Sequence, residues 1–350
     1  MKAHSSASRR DALRAAAGII AMASGLRSAA SCAEGPAKLH RYEDYGWLRG
    51  FNVVPSWGAR IEDAWWFYDP GRMRAELAPA TRMHANCIRL WIEFTAWMRD
   101  PEKVTAAFLD AVAAIAEAGM KAMPCLFNRW HDDRYDYGGT YTETLFRDWT
   151  PQLDYVRSLV KPLAADDRVL AWDLCNEPQA QGLESPVDRK EHEWLTAVAA
   201  AVRAGGARQP ILIGTMSGRN VEVYAPLVDV LCGHPYAHDR AALRARLDEI
   251  ETQRKAWKKP FLVNECLPGS LDDMARAAMI RFSTEMLAAA GVGWMGWALR
   301  EGRAISTRRD RYDGNGLNGQ GFHPFVTAAG NLRGGLEFLT EPPARRPPWG

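Results

Sequence analysis

Eight short apolar runs rich in strand-forming residues recur along the chain, at 50–54, 87–92, 122–127, 169–174, 211–215, 228–232, 261–263 and 292–297. Segments with helical spacing separate them. Strand, helix, strand is the sequence form of a parallel crossover, and near-continuous apolar strands are those covered on both faces. Eight such units predict an α/β fold closed on itself as a (β/α)8 (TIM) barrel, a single domain, rather than an open sheet. The last unit fits least well. After Trp297 a polar, Gly- and Arg-rich stretch runs to Gly321, and only short apolar pieces follow.

The helix boundaries follow from local chemistry. Asp100-Pro101 opens one helix and Gly119 closes it. Asp caps the first amide groups, Pro is preorganised for the first turn, and Gly accepts the left-handed residue that ends a helix. Within it Val104, Phe108, Val112 and Ile115 form one apolar face. Ser185-Pro186 repeats the opening signal for a helix ending near Gly205, and 239–258 and 270–290 supply two more.

Chemistry in such a barrel sits at the C-terminal ends of the strands. Two of those ends are unusual. Trp172-Asp173-Leu174-Cys175-Asn176-Glu177-Pro178 and Pro260-Phe261-Leu262-Val263-Asn264-Glu265 are strand-forming runs that stop at a glutamate. Two acids presented to one cavity are the minimum equipment for breaking a glycosidic bond. The neighbouring strand ends carry Arg89, Asn128 to His131, Asn176, His234-Pro235-Tyr236 and Trp297.

Composition excludes more than it selects. The 350 residues are 47% hydrophobic and 25% charged, and a net charge of +2 gives no footprint for nucleic acid or an acidic membrane. Tryptophan is in excess, fourteen residues against ten tyrosines and eleven phenylalanines, which suits stacking on sugar rings as well as core packing. Cys87, Cys125, Cys175, Cys232 and Cys266 lie singly in or beside apolar runs, as buried thiols do, and no metal cluster or cofactor is suggested.

Residues 1–35 read as an export signal that is removed. Ser8-Arg9-Arg10-Asp11-Ala12-Leu13 resembles the twin-arginine type, and the apolar stretch from Ala15 to Leu26 is too short for a membrane span. Cleavage after Ala30 or Ala33 is open. Cys32 as a lipid anchor is disfavoured, because Ala29-Ala30-Ser31 lacks the usual large aliphatic residue. The barrel is then expected over 36–340, with a loosely held Pro/Arg-rich tail at 341–350, and the mature protein in the periplasm or outside the cell.

Asn-Glu-Pro ending strand four, His-x-Tyr ending strand six and Glu ending strand seven, in that order, resemble the retaining glycoside hydrolases of clan A, most closely glycoside hydrolase family 5, the cellulase–mannanase family. The matching elements run from Arg49-Gly50-Phe51-Asn52 to Trp297. The resemblance implies that Glu177 is the acid/base and Glu265 the nucleophile. It further implies that Asn176 binds the sugar 2-hydroxyl, that Arg89, His234 and Tyr236 surround the carboxylates, and that Trp297 floors the subsite of the cleaved sugar. One element departs: where family members often place a histidine near the end of strand three, His131 or Asn128 could take that place, which leaves the substrate open.

The chemistry requires Glu265 ionised, and Arg89 and the Tyr236 hydroxyl would favour its anion. Glu177 must hold a proton, which burial and the charge of Glu265 would favour. The aromatic loop after strand one, with Trp57, Trp65 and Trp66, is expected to give the cleft at least one tryptophan, and Trp57 is the candidate. Trp91, Trp97, Trp130 and Trp294 are weaker ones. Glu93 could touch a substrate hydroxyl or pair with an arginine, and Asp132, Asp133 and Asp136 read as a solvated loop. Three alternatives stand beside hydrolysis of an oligo- or polysaccharide: a transglycosylase with the same site, a non-catalytic carbohydrate-binding barrel, and a metal-dependent hydrolase. The last would want clustered ligands such as His-x-His on strand one, where this chain has Phe51-Asn52-Val53.

Overall fold

The computed structural model describes residues 39–129, 145–180, 182–216, 218–304, 307 and 323–349. The expected leader at 1–35 with Cys32, and Trp130, His131, Asp132, Asp133 and Asp136, lie outside the described residues.

Among the described residues, eight parallel strands run in sequence order: β1 (Arg49–Val53), β2 (Cys87–Trp91), β3 (Lys121–Cys125), β4 (Trp172–Asn176), β5 (Ile211–Gly214), β6 (Leu231–Cys232), β7 (Phe261–Leu262) and β8 (Trp294–Gly296). Six form one curled sheet in the order β5-β4-β3-β2-β1-β8, and β6 pairs with β7. Backbone bonds close the two gaps, and beyond β7 they include Cys266 N to Met295 O at 2.9 Å and Trp297 N to Cys266 O at 3.2 Å. His234 N donates to Thr215 O at 2.8 Å on one side, and Val263 N donates to Val292 O at 3.1 Å on the other. The expected α/β barrel is therefore the fold, with shorter last strands than the apolar runs suggested. At β6 the amides of Asp229 and Val230 both turn to Ile211 O, which interrupts regular pairing until Leu231.

The described helices are α1 (Ile61–Trp66), α2 (Pro70–Arg82), α3 (Phe94–Arg99), α4 (Pro101–Glu117), α5 (Thr150–Val160), α6 (Pro186–Ala204), α7 (Gly218–Tyr224), α8 (Arg240–Trp257) and α9 (Asp273–Ala289). The caps read from sequence at Asp100 and Ser185 are in place, and Asp239 caps α8 in the same way. Asp100 accepts from Lys103 N at 3.1 Å, Ser185 from Asp188 N at 3.0 Å and Asp239 from Ala242 N at 2.8 Å. Gly119 takes φ +79°, and the four apolar residues of α4 are buried.

Two expectations fail. The aromatic stretch after β1 is partly helix, α1, rather than a loop. Its side chains find partners at once: Trp65 is buried and stacks on Tyr68, and its Nε1 donates to Trp91 O at 3.0 Å. The tail is not loosely held. Arg345 pairs with Asp44 at 3.0 Å, and Trp349 packs edge-on against Trp47 with centroids 4.9 Å apart, beneath the Lys121 ammonium.

Period-two alternation sorts each strand into an outer and an inner row. The outer row, such as Ile88 and Leu90, packs under the helices. The inner row builds the barrel interior in tiers. Cys87, Met123, Ala171, Leu212, Val230, Leu262 and Met295 make an apolar floor. One step up each strand stand Asn52, Arg89, Asp173 and Asn264, all fully buried. A polar tier at this depth is stable only if every group is paired, and it is this tier that positions the site.

Candidate active site

Arg89 is the centre of the polar tier. Its guanidinium has five N–H donors and no acceptor, so it needs a shell of oxygens once buried. Nε donates to Asp173 Oδ2 at 2.8 Å, Nη1 to Asn52 Oδ1 at 2.9 Å and to Glu265 Oε2 at 2.7 Å, and Nη2 to Asn176 Oδ1 at 2.8 Å. Burial opposes the charge of Arg89, but Asp173 and Glu265 more than offset it. The Trp91 ring lies 4.8 Å from the guanidinium carbon, with its Nε1 donating to Asn52 at 3.0 Å.

Glu265 stands above this arginine. Its second oxygen accepts from the Tyr236 hydroxyl at 2.9 Å. Glu177 ends β4 with φ +49°, a left-handed conformation uncommon for a side-chain-bearing residue. Its amide donates to Gly214 O at 2.7 Å, and Asn176 N to Phe127 O at 2.8 Å, so the turn is clamped by β5 and by the chain beyond β3. The loop after it is braced from α6, where the Glu191 carboxylate accepts from the amides of Gln179 at 2.9 Å and Ala180 at 2.6 Å. His234 joins the two acids: Nδ1 lies 2.6 Å from Glu177 Oε1 and 3.9 Å from Glu265 Oε1.

The facing atoms of Glu177, His234 and Glu265 all lie within 4.8 Å of one another. That spacing would admit a cation, but the oxygens of Glu265 are occupied by Arg89 and Tyr236, and Glu177 Oε1 by His234. The donor set suits a pair of acids held at short range.

The electrostatics differ from expectation at one point. Arg89 and Tyr236 do favour the Glu265 anion, as does His234. Burial outweighs them, with Glu177 adding to it, and the net shift is upward from 4.5. Burial lowers the affinity of His234 for a proton, yet Glu265 and Glu177 together raise its pKa above 6.5.

The structure thus gathers Arg89, Asn176, Glu177, His234, Tyr236 and Glu265. Asn128 is beside them, its Oδ1 accepting from Asn176 Nδ2 at 3.1 Å. Trp297 is half-buried on the rim, with its ring 4.9 Å from that of Trp91. Trp57 is not brought into contact with the acids. It is half-buried against the core, and its Nε1 donates to Ala64 O at 3.1 Å. Glu93 is buried and accepts from Phe94 N at 3.2 Å as the cap of α3. Sequence reasoning passed over Asn52, Asp173 and Asn264. Their signal was available: polar residues on the inner row of otherwise apolar strands, where only a satisfied group can be buried.

Comparison with known proteins places the chain in a family. The cellulase family, glycosyl hydrolase family 5, matches residues 48–302. Among solved structures the chain is similar to the exo-β-1,4-mannosidase Op5Man5 from Opitutaceae bacterium strain TAV5. The TM-score is 0.67 at 19% identity, over 86% of this chain and 60% of that one. It is similar to GH5_18 from Streptomyces cattleya, solved with GlcNAc, with TM-score 0.66 and 17% identity over 89% and 83%. The endo-1,4-β-D-mannanase from Thermotoga petrophila RKU-1 gives TM-score 0.61 and 14% identity over 84% and 98%. This chain spans less than two thirds of the mannosidase. No curated protein matches it in sequence.

Proposed function

Because the chain belongs to the cellulase family, glycosyl hydrolase family 5, we propose that it cleaves β-linked glycans by double displacement, with Glu265 as nucleophile and Glu177 as acid/base. The observation that carries this reading is the approach of the two carboxylates from the ends of β4 and the β7 segment, within 4.8 Å at their facing atoms and with His234 beside both.

In the first step a Glu265 oxygen bonds to the anomeric carbon, the glycosidic C–O bond breaks, and Glu177 gives its proton to the leaving oxygen. In the second, water attacks the glycosyl-enzyme, Glu177 takes its proton, and Glu265 is released as carboxylate. Arg89 and Tyr236 hold Glu265 oriented and stabilise the charge it regains. Asn176, fixed by Arg89 and Asn128, is assigned to the sugar 2-hydroxyl, and Trp297 to the floor of the cleaved sugar's subsite. Asn128, His131 and Trp57 are assigned to further substrate contacts.

β-Mannosides are the first substrates to assay, since two of the similar structures are a mannosidase and a mannanase. The test compares the parent with Glu265→Gln on aryl β-mannosides, β-glucosides and β-linked polysaccharides. Parent activity that disappears in the variant is expected. Equal activity in both overturns the nucleophile assignment. Export by the twin-arginine route is part of the same reading, supported by Ser8-Arg9-Arg10 and by five free, buried cysteines that suit folding in a reducing compartment. Replacing Arg9 and Arg10 by Lys should leave the protein in the cytoplasm; undiminished export would refute that route.

A further inference from the structure

Asn264 precedes Glu265 and is completely buried. The orientation of its amide is settled by its neighbours, beginning with Asp173. That carboxylate is enclosed against Arg89 at 2.6 Å, and its other oxygen accepts from Gly214 N at 3.1 Å. Both Asp173 oxygens act as acceptors, Oδ2 from Arg89 and Oδ1 from Gly214 N, so the Asn264 atom 3.0 Å from Oδ2 is the donating amide nitrogen. The amide oxygen therefore faces the other way. There it accepts from the Cys232 thiol at 3.0 Å and meets His234 Nε2 at 2.9 Å. Two bare acceptors do not pair at that distance, so Nε2 carries a hydrogen. Gly214 keeps this lane open: a Cβ there would come within 2.7 Å of His234 Nε2 and 3.1 Å of Asn264 Oδ1.

The consequence appears on the far side of the ring. With Nε2–H fixed, a neutral His234 turns the lone pair of Nδ1 toward Glu177 Oε1, 2.6 Å away. That contact must contain one proton, as Glu177 O–H donating to Nδ1 or as imidazolium N–H donating to the carboxylate. We propose that Asn264 is a positioning residue that forbids the opposite tautomer of His234, so that Glu177 and His234 hold the acid proton as one unit. The proposal rests on the reading of Glu177 as acid/base.

The proton count closes over the cycle. The unit begins with one shared proton. It passes to the glycosidic oxygen as the C–O bond breaks and the bond to Glu265 forms. It is regained from the water that opens the glycosyl-enzyme. Between those events a carboxylate oxygen faces an imidazole lone pair instead of an N–H, which strengthens Glu177 as a base when the attacking water must be deprotonated. If Nδ1–H were allowed, it would stabilise the Glu177 carboxylate, leaving it less often protonated for the first step and a weaker base in the second. The charged groups around the ring are Glu177 from β4, Glu265 from β7 and Arg89 from β2.

Two measurements test the assignment. In the parent protein labelled with 15N-histidine, the His234 signal, identified by its loss in His234→Gln, should show hydrogen on Nε2 at every pH where the protein is folded. Nδ1 alone should change with pH. A neutral His234 with hydrogen on Nδ1 and a bare Nε2 overturns the proposal. This readout needs no turnover, so it stands or falls separately from the hydrolase reading. In Asn264→Ala, loss of kcat/KM should be larger by about tenfold or more for phenyl glycosides than for 2,4-dinitrophenyl glycosides, because only the poor leaving group needs the proton. Equal losses on both would mean a merely structural asparagine and would also overturn it. If Asn264→Ala does not fold, the parent's tautomer decides.

Discussion

The two glutamates leave the barrel in different ways. Glu177 follows a five-residue strand inside a six-stranded ladder, and β3 and β5 bond to the backbone around it. Glu265 comes three residues after a two-residue strand that pairs only with another of the same length. What the β6–β7 side lacks in ladder it recovers through side chains. Asn52 Nδ2 donates to Asn264 O at 3.0 Å, Asn264 to Asp173, and Thr215 Oγ1 to Cys232 O at 2.8 Å. One wall of the site is placed by regular strand pairing, and the other by a buried polar network together with backbone bonds on either side of Glu265, Val263 N to Val292 O at 3.1 Å and Cys266 N to Met295 O at 2.9 Å. The network is the more fragile, because each member depends on its partners being present.

The comparison yields predictions of decreasing size. Glu265→Gln should lower kcat by roughly 10⁴-fold or more while sparing the fold, since it removes a carboxylate whose charge burial disfavours. A thermal midpoint well below the parent's would show that Glu265 instead holds its wall together. Asp173→Asn strips Arg89 of its closest counter-charge in the interior and should cost about 3–5 kcal/mol in urea denaturation. Asp154→Ala, which breaks an exposed pair with Arg157, should cost about 0–1 kcal/mol. Similar values for the two would deny the network its role.

The next effect is on pH. The pKa of Glu265 is raised, so under its proposed role as nucleophile it takes up a proton as pH falls through that value and activity is lost. The acidic limb of kcat/KM should therefore lie above 4.5. A limb at or below that value would mean that Arg89 and Tyr236 win over burial after all. Hydrogen exchange should separate the two walls more gently. Amides of β2 and β3 are expected to exchange only on global unfolding, and those of Leu231 and Leu262 through smaller openings. Uniform protection would erase the distinction. Smallest of all, Asp100→Ala and Asp239→Ala should each cost about 1 kcal/mol. The helices they cap lie on opposite sides of the barrel, and matching values would confine the asymmetry to the strands.

The same asymmetry decided what could be read from sequence. Apolar runs and caps are local signals, so the eight units, the ends of α4 and α6, and Glu177 and Glu265 were legible. The extent of β6 and β7 was not, because Val228 and Val263 have the composition of strand residues but bond outside a regular ladder. The inward tier of Asn52, Asp173 and Asn264 was hidden for another reason. Each reads as an isolated polar residue, and its meaning lies in contacts between strands far apart in the chain. The short helices α1 and α3 form where Trp65 and Trp66 find partners across the β1 and β2 connections: Trp66 donates to Ala96 O at 3.1 Å and lies under Arg99. No pattern within either segment announces that meeting. Trp349 gave no local signal either, since its partner Trp47 is near the other end of the barrel sequence.

The left-handed backbone at Glu177 sets up a conflict between persistence and use. That conformation is comfortable only for glycine, and a side-chain-bearing residue held there costs on the order of 1 kcal/mol or more. A chain under selection for durability alone would drift at this position toward glycine or asparagine and become a sturdier, idle barrel. Under the proposed acid/base role, retention of glutamate at φ +49° among descendants of this sequence would therefore be a record of continued turnover.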